Sequence, residues 1–69
     1  MIEVFKTNVQ RLHQAKKIIG LLHEHLPDSK INFDLEDCDK VLRIDSPEII
    51  HAEIINTLQN NGFFCEELQ

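Results

Sequence analysis

Two cysteines are the side chains of this 69-residue chain with the greatest capacity for metal or redox chemistry. Cys38 lies between Asp37 and Asp39, so one thiolate and two carboxylates are available to an ion such as Cu(I) or Zn(II). A single exposed thiol is a poor ligand set for a soft metal, however, and the neighbouring acids disfavour its thiolate form. We interpret Cys38 as a solvated turn cysteine and keep a metal site at Asp37, Cys38 and Asp39 as an alternative hypothesis.

The second cysteine, Cys65, follows Phe63 by two residues, so both side chains are expected on the same face of a strand. If that face packs against helices, Cys65 is a small core residue, as free cysteines commonly are. Two cysteines are too few for a disulfide framework and are typical of a reducing compartment. We expect Cys38 and Cys65 to lie too far apart in the sheet for an intramolecular disulfide.

The spacing of the four histidines does not indicate a metal site. None of His13, His23, His25 and His51 has another histidine three or four residues away, the spacing that places two side chains on one helix face. We therefore interpret all four as exposed polar residues.

No group of residues in the sequence indicates catalysis. The only glycines are Gly20 and Gly62, so a glycine-rich phosphate loop is absent, and no nucleophile stands beside a recognisable base. Of the two serines, Ser29 and Ser46, the second is expected to cap a helix. We predict that the chain is not an enzyme and has no catalytic residues.

Length, charge and hydropathy exclude several classes of protein. A chain of 69 residues buries one core, so we expect a single domain over residues 1–69. The net charge of −5 argues against nucleic-acid binding through phosphate contacts. No apolar run approaches the roughly 20 residues of a membrane span, and residues 1–6 do not resemble a signal peptide. We predict a cytoplasmic protein with no membrane partner.

The first half of the chain predicts a strand followed by an amphipathic helix. Apolar and polar residues roughly alternate from Ile2 to Lys6, and Thr7 and Gln10 have the spacing of a helix capping box. Pro27 is expected to end the helix. One helix face is predicted to be apolar, because apolar residues recur at spacings of three and four: Val9, Leu12, Ala15, Ile19, Leu22 and Leu26.

The second half predicts two strands, a helix and a last strand. Apolar and polar residues alternate strictly over Ile31–Leu35, which predicts one strand, and a second strand is predicted over Lys40–Asp45. Ser46 and Pro47 are typical of a helix start, whereas the sequence Asn-Asn-Gly ending at Gly62 is typical of a helix stop. The inward residues of this helix are predicted to be Ile50, Ile54, Ile55 and Leu58, and the last strand to span Phe63–Leu68.

The order of these elements, βαββαβ, predicts an α+β fold of the ferredoxin-like class. We expect a two-layer sandwich in which an antiparallel sheet carries both helices on one face. The second and fourth strands are expected at the edges of the sheet. The end of the first strand, the turn around Cys38 and the loop before the last strand are expected to meet at one end of the molecule.

Four short stretches of the sequence resemble the heavy-metal-associated (HMA) domains of copper chaperones and metal-pumping ATPases. They are Leu26-Pro27, Ile31–Leu35, Leu42–Asp45 and the Asn-Gly-Phe sequence ending at Phe63. The family binds its metal through a Met-x-Cys-x-x-Cys sequence in the first loop, where two thiolates hold one soft ion. The resemblance implies the same fold and places Cys38 near the family's metal position.

The metal-binding sequence of that family is missing from this chain. The corresponding stretch, residues 6–12, contains no cysteine, and no cysteine precedes Cys38. Lys6 and Arg11 would also repel a cation there. The resemblance therefore implies the frame of a metal carrier without the metal site of its family.

Three hypotheses of function follow. We expect a non-enzymatic binding or interaction module with a protein partner, and we leave open a homodimer. The second hypothesis is a Cu(I) or Zn(II) carrier with non-standard ligands such as Cys38, shared across a dimer; no other cofactor is expected. The third, from fold analogy alone, is a sensor that binds a small molecule between subunits.

Overall fold

A computed structural model describes residues 1–68, which form four strands and two helices. In chain order these are β1 (Ile2–Thr7), α1 (Leu12–His25), β2 (Lys30–Asp34), β3 (Val41–Asp45), α2 (His51–Asn60) and β4 (Cys65–Glu67). The strands form one antiparallel sheet in the order β2-β3-β1-β4. This βαββαβ arrangement confirms the predicted α+β, two-layer, ferredoxin-like fold, including the edge positions of β2 and β4.

The hydrophobic core lies between one face of the sheet and the two helices. Phe5 of β1 pairs with Leu42 of β3 and with Glu67 of β4, so every second residue of these strands faces the helices. The predicted core position of Cys65 is confirmed, because its side chain lies in this layer. The buried apolar residues are Phe5, Val9, Ala15, Ile18, Leu22, Ile31, Leu42, Ile44, Ile49, Ile54, Leu58 and Cys65.

Helix α1 begins later than predicted, because Thr7 does not cap it. Thr7 is the last residue of β1, and its buried hydroxyl donates to the Lys40 carbonyl at 2.6 Å and accepts from the Val9 N–H at 3.2 Å. The helix starts at Leu12, and the Gln14 side chain accepts from the N–H of Arg11. The inward residues are consequently Ala15, Ile18 and Leu22, whereas Leu12, predicted to be inward, is 63% exposed.

Helix α2 also begins later than predicted. Ser46 extends the pairing of β3 with β1, since its N–H donates to the Met1 carbonyl at 2.9 Å. Its hydroxyl donates to the Glu48 carbonyl at 2.9 Å. The helix starts at His51, and the buried isoleucine before it is Ile49 rather than the predicted Ile50. Inward positions Ile54 and Leu58 are confirmed.

The predicted helix stop after α2 is confirmed. Gly62 has a φ of +84°, a left-handed conformation that favours glycine, and its N–H donates to the Gln59 carbonyl. Strand β4 is shorter than the predicted Phe63–Leu68, because residues 63 and 64 complete this turn instead of pairing with β1. Neither helix within residues 1–68 combines the length and apolar character needed to cross a membrane.

Candidate functional site

The end of the molecule at which β1 terminates is called the tip; it comprises residues 6–8, 35–40 and 63–64. The N–H of Thr7 donates to the Asp39 carbonyl at 3.0 Å, and the N–H of Phe64 donates to the Asn8 side-chain carbonyl at 2.7 Å. These bonds join the three loops that were predicted to meet. Cys38 therefore lies at the end of the sheet where the sequence placed it.

Asp37, Cys38 and Asp39 offer three potential ligand atoms at the tip, all within 4.8 Å of one another. One oxygen of each carboxylate already has a partner. Asp37 Oδ1 accepts from the Asp39 N–H at 2.8 Å, and Asp39 Oδ1 lies 3.5 Å from Lys6 Nζ. The Lys6 ammonium therefore offsets part of the negative charge at the tip.

The two cysteines differ in environment. Both are free thiols; Cys38 is exposed and Cys65 is buried on the helix-facing side of β4. Burial raises the pKa of the Cys65 thiol to about 11, because the thiolate loses its hydration there. Cys65 is therefore a protonated core residue at neutral pH and not a ligand or nucleophile.

Three of the four histidines are exposed as predicted, namely His13, His23 and His25. His51 is the exception. It is the first residue of α2, it is half-buried, and its ring centroid lies 6.0 Å from that of Phe5 in the core. The structure thus corrects the interpretation of His51 as an exposed polar residue.

His51 meets two glutamates at the end of the sheet opposite the tip, and we call Glu3, His51 and Glu67 the base cluster. His51 Nε2 lies 3.4 Å from Glu3 Oε2 and 3.6 Å from Glu67 Oε1, and the ligand atoms of all three residues lie within 4.8 Å of one another. Among residues 1–68, the buried Nε2 has no hydrogen-bond partner. Three elements, β1, α2 and β4, supply one side chain each.

Spacing along the chain gave no sign of the base cluster, because its members are far apart in sequence. The alternation of side chains along β1 and β4 could have indicated it. Glu3 alternates with Phe5 and Thr7, and Glu67 alternates with Cys65, so both glutamates belong to the helix-facing side of their strands. Acids on the core side of a strand are uncommon, and both of these lie within 3.6 Å of His51 Nε2.

Electrostatics favours carboxylates at this position. The first turn of α2 presents unpaired N–H groups and the positive end of the helix dipole to its surroundings. Glu3 keeps only 23% of its side chain exposed, so much of its carboxylate hydration has been replaced by this environment. The base cluster is therefore a partly desolvated anionic site with one imidazole at its centre.

The sheet face opposite the helices is a second candidate surface, which we call the open face. No element within residues 1–68 covers it. Its apolar residues are Ile2, Val4 and Val41, of which Ile2 is 59% exposed. Charged residues of both signs lie among them in equal number: Lys6, Lys30, Arg43, Asp34, Asp45 and Glu66. A groove on this face is lined by Val4, Asn32, Asp34, Val41 and Arg43, among others.

Comparison of the chain with protein-family models, with curated proteins and with solved structures found no match in any of the three.

Proposed function

We propose that this chain is a small, non-enzymatic interaction module of the cytoplasm that binds another polypeptide through its open face. One observation carries the proposal: both helices pack on the same side of the sheet, so a face of mixed apolar and charged residues remains uncovered on the other side. Exposed apolar surface with a polar rim is characteristic of protein interfaces. The resemblance to HMA domains supports the frame, and the Lys6–Asp39 ion pair at the tip supports an altered role.

A second copy of this chain is the occupant that the charges of the open face favour. Three basic and three acidic side chains balance there, although the whole chain has a net charge of −5. Lys30 and Asp34 stand at opposite ends of β2, so an antiparallel stacking of two sheets brings each beside its opposite charge on the other copy. Such a two-fold contact is self-complementary.

The test is the oligomeric state of the full reduced chain, measured by sedimentation equilibrium over a range of protein concentrations. The wild-type chain is expected to dimerise reversibly, and Arg43→Glu, in the middle of the open face, is expected to weaken the dimer. Lys17→Glu makes the same charge change at an exposed position of α1 and is expected to leave the dimer intact. Added salt should weaken the wild-type dimer, because charges contribute to it.

Two results would overturn this proposal. One is a wild-type chain that stays monomeric at the concentrations used for NMR. The other is a dimer that Lys17→Glu weakens as much as Arg43→Glu, because the charge of the whole chain rather than the open face would then control association. Binding of an unrelated polypeptide at the open face of a monomeric chain would keep this face as the interface but replace the second copy as its occupant.

A metal carrier that uses Cys38 is the second candidate, favoured by the proximity of the Asp37, Cys38 and Asp39 ligand atoms. In this alternative, Cu(I) or Zn(II) bridges two copies through their exposed thiols. Cys38→Ser would then abolish both metal uptake and metal-dependent dimerisation. Metal uptake that survives Cys38→Ser excludes the tip as the site.

A further inference from the structure

We propose that the base cluster of Glu3, His51 and Glu67 binds a divalent transition-metal ion of the Zn(II) class. The inference is independent of the proposed open-face interface, since the base cluster lies in the layer between the sheet and α2. It also differs in place and in ligand chemistry from a thiolate site at the tip.

The ligand types suit a borderline divalent ion. One imidazole nitrogen and two carboxylate oxygens are typical protein ligands of Zn(II), and they also suit Co(II) and Ni(II). Cu(I) prefers thiolate and thioether sulfur, which the base cluster does not offer. We therefore expect selectivity for Zn(II)-like ions over Cu(I).

The distances fit a shared ion better than direct hydrogen bonds. N–H···O bonds span about 2.7–3.2 Å between heavy atoms, and charge-assisted bonds are shorter still. His51 Nε2 lies 3.4 Å from Glu3 Oε2 and 3.6 Å from Glu67 Oε1. Two ligand atoms at about 2.1 Å from a tetrahedral Zn(II) are about 3.4 Å apart, so this spacing corresponds to a coordination edge.

The buried nitrogen gives an independent reason for a ligand. Nε2 of His51 is shielded from solvent and unbonded among the described residues, a state that costs free energy unless another group satisfies it. A metal ion would accept the lone pair of this nitrogen and would neutralise the charge of both carboxylates. Two negative charges and a divalent cation would leave the site neutral.

One side of the base cluster remains accessible. His51 keeps 37% and Glu67 keeps 40% of their side chains exposed, so an ion can enter from solvent and retain water as a further ligand. Because the ligands come from β1, α2 and β4, the bound ion would link the short edge strand β4 to the helix layer. Zn(II) is therefore expected to raise the melting temperature, since the unfolded chain does not assemble these ligands.

The experiment is a calorimetric titration of the full reduced chain with Zn(II), combined with NMR of the imidazole nitrogens. We expect one Zn(II) per chain and a change in the His51 Nε2 resonance. Glu3→Gln and Glu67→Gln keep the side-chain size and are each expected to weaken binding by more than about tenfold, because even an outer-shell partner contributes about 10–100-fold. His25→Gln and Cys38→Ser are the matched controls and should bind as the wild type does.

Several outcomes would overturn the inference. Zn(II) affinity that is unchanged in Glu67→Gln would exclude the base cluster, as would Zn(II)-induced changes confined to His13, His23 and His25. A His51 Nε2 resonance that does not change when Zn(II) is added would likewise exclude the base cluster as the site. The wild-type NMR titration decides the matter even if a glutamate variant fails to fold.

Discussion

The two ends of β1 present similar ligand sets in opposite states. The tip holds Asp37, Cys38 and Asp39, and the base holds Glu3, His51 and Glu67; in each set the ligand atoms lie within 4.8 Å of one another. At the tip, one oxygen of Asp37 accepts from a backbone N–H, and one oxygen of Asp39 lies 3.5 Å from the Lys6 ammonium. At the base, the central nitrogen is buried without a hydrogen-bond partner among residues 1–68.

Proximity of ligand atoms is therefore not enough to indicate a metal site. The tip has the softer ligand, but its acids serve the turn that closes β2 onto β3. The base lacks sulfur, but its imidazole nitrogen has no hydrogen-bond partner among the described residues and could bind an ion together with the two carboxylates. What separates the two ends is which polar groups the fold has already paired.

Removal of the Phe5 side chain should have the largest effect on the stability of the base. Phe5 is fully buried, and its ring lies beside that of His51. We expect Phe5→Ala to lower the free energy of unfolding by about 3–5 kcal/mol, the usual cost of a large cavity. Phe64→Ala, at the tip, removes a side chain that is 47% exposed and should cost much less. Chemical denaturation checks both; equal losses would show that the base is not supported by the core.

Replacement of Thr7 tests whether hydrogen bonds hold the tip together. Thr7→Val keeps the shape of the side chain but removes the hydroxyl that bonds the Lys40 carbonyl and the Val9 N–H. Leaving these groups unpaired should lower the free energy of unfolding by about 1–3 kcal/mol. Thr57→Val removes an exposed hydroxyl bonded to the Glu53 carbonyl and is the matched control. A loss no greater than that of the control would contradict the role given to Thr7.

The buried thiol of Cys65 predicts a loss of stability at alkaline pH. Burial raises the pKa of Cys65 from 9.0 to about 11, so the folded chain retains a proton that the unfolded chain releases between these values. Below pH 9.0 this contribution is constant; above it, the free energy of unfolding should fall by about 1.4 kcal/mol per pH unit until pH about 11. Denaturation of wild type and Cys65→Ala at several pH values isolates the effect, and Cys38→Ser should retain it.

Much of the fold was predictable because each element carries a local signal. The alternation in Ile31–Leu35, the helix stop at Gly62 and the strand order follow from residue types and from the physical rules of chain connection. The predicted helix starts were wrong because neither hydroxyl caps a helix. That of Thr7 donates to the distant Lys40 carbonyl, and that of Ser46 donates to the nearby Glu48 carbonyl. A hydroxyl has several possible partners, and sequence does not show which one lies within reach.

Residue types and their spacing were enough to predict the class of fold, a turn around Cys38 that lies near the end of β1, and the lack of any cysteine before Cys38. The meeting of His51 with Glu3 and Glu67 depended on tertiary packing, because strand pairing and helix docking bring together residues that are distant along the chain. Local pattern reflects the contacts that a residue makes with its neighbours in sequence, whereas a site assembled from β1, α2 and β4 exists only once the sheet and the helix layer have packed.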